Sequence, residues 1–138
     1  MLIQFGVPQG SVLGPLLFIM YINDLPLAVR ACSVELYADD TLIFFAGKSV
    51  SEIESRLSSD LDRLISWNGS NLLTVNVSKT KIMLIGTHQR LNAVNSFSVT
   101  TDNTSLERVD TFKYLGVIMY ETLSWKEHVS SMGKKDLF

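Results

Sequence analysis

The stretch from Val34 to Phe45, VELYADDTLIFF, restricts what this chain can fold into more than any other segment. Two short runs of β-forming residues, 34–37 and 41–45, flank the adjacent carboxylates Asp39 and Asp40 at the point where a hairpin would turn. Side-by-side carboxylates repel, so ionising both is costly unless a cation lies against them. Hard oxygen donors of this kind suit Mg²⁺ or Mn²⁺. In an arbitrary hairpin the same pair is an exposed turn and nothing more, and the rest of the chain has to decide between these readings.

A chain of 138 residues with 46% hydrophobic content can bury one core, so a single domain over residues 1–138 is expected. Only 19% of residues are charged and the net charge is −2. Enzymes that handle nucleic acid usually carry a basic surplus, because each phosphate contact needs a Lys or Arg. Either this chain does not bind nucleic acid, or the basic parts lie outside it. The one cysteine, Cys32, leaves no disulfide partner and no Cys-based zinc site, which fits a reducing compartment. An intracellular protein, cytoplasmic or nuclear and not secreted, is expected. His88 and His128 stand far apart and read as surface side chains. The N-x-S/T triplets at Asn68, Asn76 and Asn103 read as chance. The apolar run from Val12 to Ile22 is shorter than the roughly 20 residues a membrane span takes, so it is read as a buried helix.

Taken in order, Phe5-Gly6-Val7-Pro8-Gln9-Gly10 is a loop in which Gly6 and Gly10 permit unusual backbone angles and Pro8 stiffens what lies between. Ser11 is placed to cap a helix, Pro15 is tolerated in its first turn, and Pro26 closes it after Asn23-Asp24. Beyond the acidic hairpin, Ser49-x-x-Glu52 and Ser51-x-x-Glu54 both have capping-box spacing. Ile53, Leu57, Leu61, Leu64 and Ile65 follow at helical intervals, predicting an amphipathic helix that ends near Asn68-Gly69. Glu54, Arg56, Asp60 and Arg63 are assigned to its solvated face. Leu72 to Val75 then precedes a polar turn over 76–80 and a strand over Lys81 to Ile85. Strands at Phe97 to Thr100 and Ser105 to Val109 flank the turn signal Asp102-Asn103. Tyr114 to Met119 reads as one further strand, and Ser124-x-x-Glu127 starts a last helix that stops soon after Gly133. Hairpins beside helices make the fold class α+β.

Four segments together resemble a known family: GVPQGSVLGPLLFIMYINDLP (6–26), LYADDT (36–41), LTVNVSKTKIM (73–83) and FKYLGV (112–117). In this order and spacing they are similar to the palm of a reverse transcriptase, above all that of the non-LTR, LINE-type retrotransposons, from about Gly6 to Lys135. The resemblance implies a partial polymerase palm, an antiparallel sheet with packed helices, lacking fingers and most of the thumb. It implies that Asp39 and Asp40 hold Mg²⁺ or Mn²⁺ for two-metal nucleotidyl transfer. Pro8, Gln9, Gly10 and Ser11 would lie beside the incoming nucleotide and template, Lys79 near the nucleotide phosphates, and Tyr114, Leu115 and Gly116 in the hairpin that grips the primer end. RNA template, DNA primer and dNTP are the implied partners in the intact parent, with no membrane. For Lys79 a solvated turn lysine fits as well, and Lys81 is two residues away.

Family members carry a third metal-binding Asp upstream of the GVPQG loop, where this chain opens, and commonly an Asp where this chain has Tyr120. Neither Glu35 nor Asp24 is a convincing substitute for the missing acid. The expectation is therefore a palm fragment that synthesises no DNA alone and exposes apolar surface and a strand edge. Two further readings stay open. One is a non-catalytic retroelement remnant with at most weak nucleic-acid binding; the other is a group II intron or retron enzyme, which shares YADD but fits YINDLP and KYLGV less well.

Overall fold

The structure is a computed structural model describing residues 10–124. The expected helix from Ser124 and residues 1–9 lie outside that range, as does His128. The chain divides into two compact units, Met1–Val75 and Asn76–Phe138.

The first unit begins with helix α1, Gly14–Tyr21. Pro15 sits in its first turn, where a backbone N–H would find no partner in any case. Ser11 does not cap it: Leu13 is the N-cap residue and no side chain bonds there. Pro26 does not close this helix, which already ends at Tyr21 with Ile22 as its C-cap; it sits instead inside a 3₁₀ turn, Leu25–Ala28. The expectation of a buried helix is corrected. Gly14 and Ile22 are buried, but Leu16, Leu17, Ile19, Met20 and Tyr21 are exposed. A helix that is apolar all round needs partners on every side. Among the described residues α1 finds them on one.

Strands β1, Ser33–Tyr37, and β2, Asp40–Phe44, form an antiparallel hairpin with Tyr37 opposite Asp40 and Val34 opposite Ile43. Side chains at directly opposed positions share a face. Val34, Leu36 and Ile43 therefore occupy a half-buried face, while Glu35, Tyr37, Asp40, Leu42 and Phe44 line an exposed one. Helix α2, Val50–Ser70, starts as expected: Ser49 accepts from the N–H of Glu52 at 3.2 Å, and the Glu52 carboxylate accepts from the N–H of Lys48 at 3.2 Å. Leu57, Leu61 and Leu64 are buried along its inner side, where the 3₁₀ turn packs with Leu25 buried.

In the second unit the pairing is more broken than expected. Strand β3, Lys81–Ile82, runs parallel to β6, Glu107–Arg108. Strands β4, Thr100–Thr101, and β5, Thr104–Ser105, form a hairpin whose turn residues Asp102 and Asn103 both have positive φ, the mirror-image turn that suits strand twist. Helix α3, His88–Asn92, capped by Thr87, was not expected. The single strand read over Tyr114–Met119 is instead a hairpin of β7, Thr111–Tyr114, and β8, Val117–Tyr120, turning at Leu115-Gly116. The apolar run hid the turn, and the glycine marked it. Ile82, Leu84, Leu91, Phe97, Val99 and Leu106 are buried. Among the described residues the strands pair two by two, three pairings antiparallel and one parallel, so helices and strands mix as expected but no single antiparallel sheet forms.

Candidate functional site

The acidic hairpin is present, displaced by one residue. Ala38 and Asp39 make the turn, and Asp40 begins β2. Ala38 has φ +51°, a left-handed conformation that costs an L residue with a Cβ roughly 1 kcal/mol. Asp39 and Asp40 are both exposed, and neither carboxylate has a hydrogen-bond or ion-pair partner among the described residues. Two adjacent, uncommitted hard-oxygen donors suit a divalent cation as part of its ligand set. Glu35 shares the Asp40 face two register positions along the hairpin, opposite Leu42. Even so, no three His, Cys, Asp or Glu side chains among the described residues stand close enough to hold a metal ion. The residues present fit such an ion as an incomplete donor set.

Of the expected nucleotide-side residues, Pro8 and Gln9 lie outside the described range. Gly10 has φ +84° and no atom within 4 Å of where a Cβ would stand, a backbone conformation open to close approach. Ser11 is half-buried beside it. These belong with Asp39 and Asp40 to the first unit, whereas Lys79 and Tyr114, Leu115 and Gly116 belong to the second.

Lys79 sits in a turn built by Asn76, whose side-chain oxygen accepts from the Lys79 N–H at 3.2 Å and from the Ser78 hydroxyl at 2.7 Å. Lys79 is exposed and its ammonium has no partner among the described residues. Lys81 is committed: its ammonium pairs with Glu107 and donates to the Ser78 carbonyl at 3.1 Å. The two lysines are thus distinguished by what their charges already do. Tyr114 ends β7 half-buried. Leu115 occupies the turn with φ +46° and half its surface exposed, where Asn or Gly would sit without strain. His88 is a surface side chain, as expected.

The residue that sequence reasoning missed is Asp60. Its charge reads as part of the solvated face of α2, yet it is 0% exposed. Its carboxylate accepts from the backbone N–H of Arg30 at 3.2 Å, of Ala31 at 2.7 Å and of Cys32 at 2.8 Å, and from the Arg63 guanidinium at 2.6 Å. Burial alone would raise its pKa. The three N–H donors and Arg63 outweigh that and hold it at about 2. Cys32 responds in the opposite sense: burial, then the hydrogen bond and charge of Asp60, push its thiol up to about 12. A signal was available. Position 60 lies three residues after Leu57 and four before Leu64, on the buried stripe.

Comparison with known proteins agrees with the family resemblance. The chain is 30% identical over 138 residues to an RNA-directed DNA polymerase from mobile element jockey of Drosophila funebris, covering 94% of this chain and 14% of that protein. It is 31% identical over 134 residues to a retrovirus-related Pol polyprotein from type-1 retrotransposable element R1 2 of Nasonia vitripennis, covering 94% and 33%. It is 30% identical over 137 residues to a probable RNA-directed DNA polymerase from transposon BS of Drosophila melanogaster, covering 94% and 15%. The chain thus spans a third or less of the length of these curated relatives. No solved structure matches it. No helix among the described residues is long and apolar enough to cross a membrane. The profile of the family described as reverse transcriptase (RNA-dependent DNA polymerase) matches residues 2–119, the acidic hairpin included, and the chain belongs to that family, among its non-LTR retrotransposon members.

Proposed function

We propose that residues 1–138 form part of the palm of one reverse transcriptase domain whose parent copies an RNA template onto a DNA primer inside the cell. The observation that carries this reading is the pair of exposed, uncommitted carboxylates at the end of β1–β2 in a chain of this family. Asp39 and Asp40 are assigned to hold Mg²⁺ or Mn²⁺. When bound, such ions stabilise the charge that builds on the entering and leaving oxygens at the α-phosphate of a dNTP.

The chain's own residues have distinct tasks in this reading. The two carboxylates contribute negative charge and oxygen donors without first breaking internal bonds. Lys79, its ammonium free of any partner among the described residues, neutralises the departing pyrophosphate or gives it a proton. Gly10, with no Cβ and φ +84°, lets the backbone approach the nucleotide, with Pro8, Gln9 and Ser11 beside it. The Leu115-Gly116 turn, with Tyr114 at its base, bears on the primer end; an exposed leucine in left-handed backbone supports a contact role there.

Because no third acid joins Asp39 and Asp40 among the described residues, the chain alone is expected to extend no primer. Grafting residues 1–138 into the corresponding part of an active relative tests the reading. Template-directed extension by the graft, lost about 10²-fold or more in Asp39→Asn and Asp40→Asn, is the expected result. A graft that folds but does not extend, or one indifferent to both substitutions, would instead favour a non-catalytic remnant.

A further inference from the structure

We propose that Asp60 is the positioning residue of the acidic hairpin: from the middle of α2 its carboxylate grips the backbone of Arg30, Ala31 and Cys32, and so sets the direction in which β1 carries Asp39 and Asp40. The importance of that direction for chemistry rests on the metal-site reading of Asp39 and Asp40. The positioning itself does not.

Oδ2 accepts from the N–H of Ala31 at 2.7 Å and Cys32 at 2.8 Å, and both oxygens stand 3.2 Å from the N–H of Arg30. Successive N–H groups converging on one anion form a concave backbone cradle. Here the anion is a side chain of the same unit, and the cradle leads directly into Ser33, the first residue of β1. Each bond is charge-assisted, and the segment cannot swivel without breaking them together. The leucine stripe at 57, 61 and 64 could take another leucine at this position, whereas a buried carboxylate is tolerated only when its oxygens are satisfied. What Asp supplies that leucine does not is direction.

Leverage makes the direction matter. Five strand residues separate the cradle from the turn, a lever of roughly 17 Å, so a swing of about 10° at the base displaces the carboxylates by about 3 Å. A displacement of about 1 Å already costs a catalytic site heavily.

The test compares the 138-residue chain with its Asp60→Asn and Arg63→Met variants by amide hydrogen exchange, residual dipolar couplings, and Mn²⁺ line broadening at Asp39 and Asp40. In Asp60→Asn the amides of Ala31 and Cys32 should exchange at least about tenfold faster. The β1–β2 couplings should reorient relative to α2 while the Val34–Ile43 pairing persists. Arg63→Met removes one donor but leaves the backbone grip, and the hairpin should keep its direction. Unchanged couplings in Asp60→Asn, or the same change in Arg63→Met, would overturn the proposal, because an ordinary ion pair behaves that way. If Mn²⁺ fails to broaden Asp39 and Asp40 in the unsubstituted chain, the metal reading falls, and the couplings still decide the grip. Should Asp60→Asn not fold, Asp60→Glu keeps the charge and moves the anchor by one methylene. Shifted hairpin couplings then support the proposal, and unshifted ones overturn it.

Discussion

Asp60 and the Asp39-Asp40 pair are carboxylates of one compact unit held in opposite circumstances. Asp60 is buried, with backbone N–H groups and a guanidinium around it; Asp39 and Asp40 are exposed and have no side-chain partner among the described residues. A carboxylate whose oxygens are used internally is part of the scaffold and unavailable to a cation. One left uncommitted contributes nothing to folding and is available. The difference separates an acid committed to the scaffold from a pair left open to a ligand.

Removing each in turn is the strongest way to break this comparison. Asp60→Ala leaves the N–H groups of Arg30, Ala31 and Cys32 and the Arg63 charge without their acceptor, and should cost about 3–5 kcal/mol in urea unfolding. Asp39→Asn and Asp40→Asn should stay within about 0.5 kcal/mol of the unsubstituted chain. Equal losses at all three positions would erase the distinction.

Thiol chemistry offers the next test. With its pKa at about 12, Cys32 exposes little thiolate at pH 8, and labelling by a disulfide reagent should run far slower than in the unfolded chain. Asp60→Asn takes away a negative neighbour, and labelling should accelerate.

The pH dependence follows from the sign of the Asp60 shift. Its folded pKa, about 2, lies below the ordinary value of 3.8, so its contribution to stability is present above about pH 4 and disappears as pH falls through about 2. Urea midpoints measured between pH 2 and 5 should rise with pH in the unsubstituted chain and lose that component in Asp60→Asn.

The smallest effect concerns the exposed end of the hairpin. Ala38→Gly relieves the φ +51° strain and should stabilise by at most about 1 kcal/mol, measured by thermal unfolding. A loss instead would mean that the methyl group packs on something the strain serves.

The acidic hairpin, the capped helix from Ser49 and the turn at Asp102-Asn103 were legible in the chain because each depends on neighbours within a few residues. Pairing of β3 with β6 was not, since a two-residue parallel contact between segments 26 positions apart leaves no periodic trace. The exposure of α1 was not legible either. An apolar run announces a need for partners and cannot say whether the chain supplies them.

By itself the sequence determined the family, through the order of four motifs, and the identity of the two carboxylates at the hairpin. Tertiary structure decided which charges are already committed. Lys79 and Lys81 look alike in NVSKTK, and only the proximity of Glu107 and the Ser78 carbonyl separates them. Asp60 reads as a solvated acid until the backbone of residues 30–32 folds over it. The physical reason is common to both cases: the state of a charge is set by the donors and acceptors around it, and those arrive from parts of the chain that local pattern does not connect.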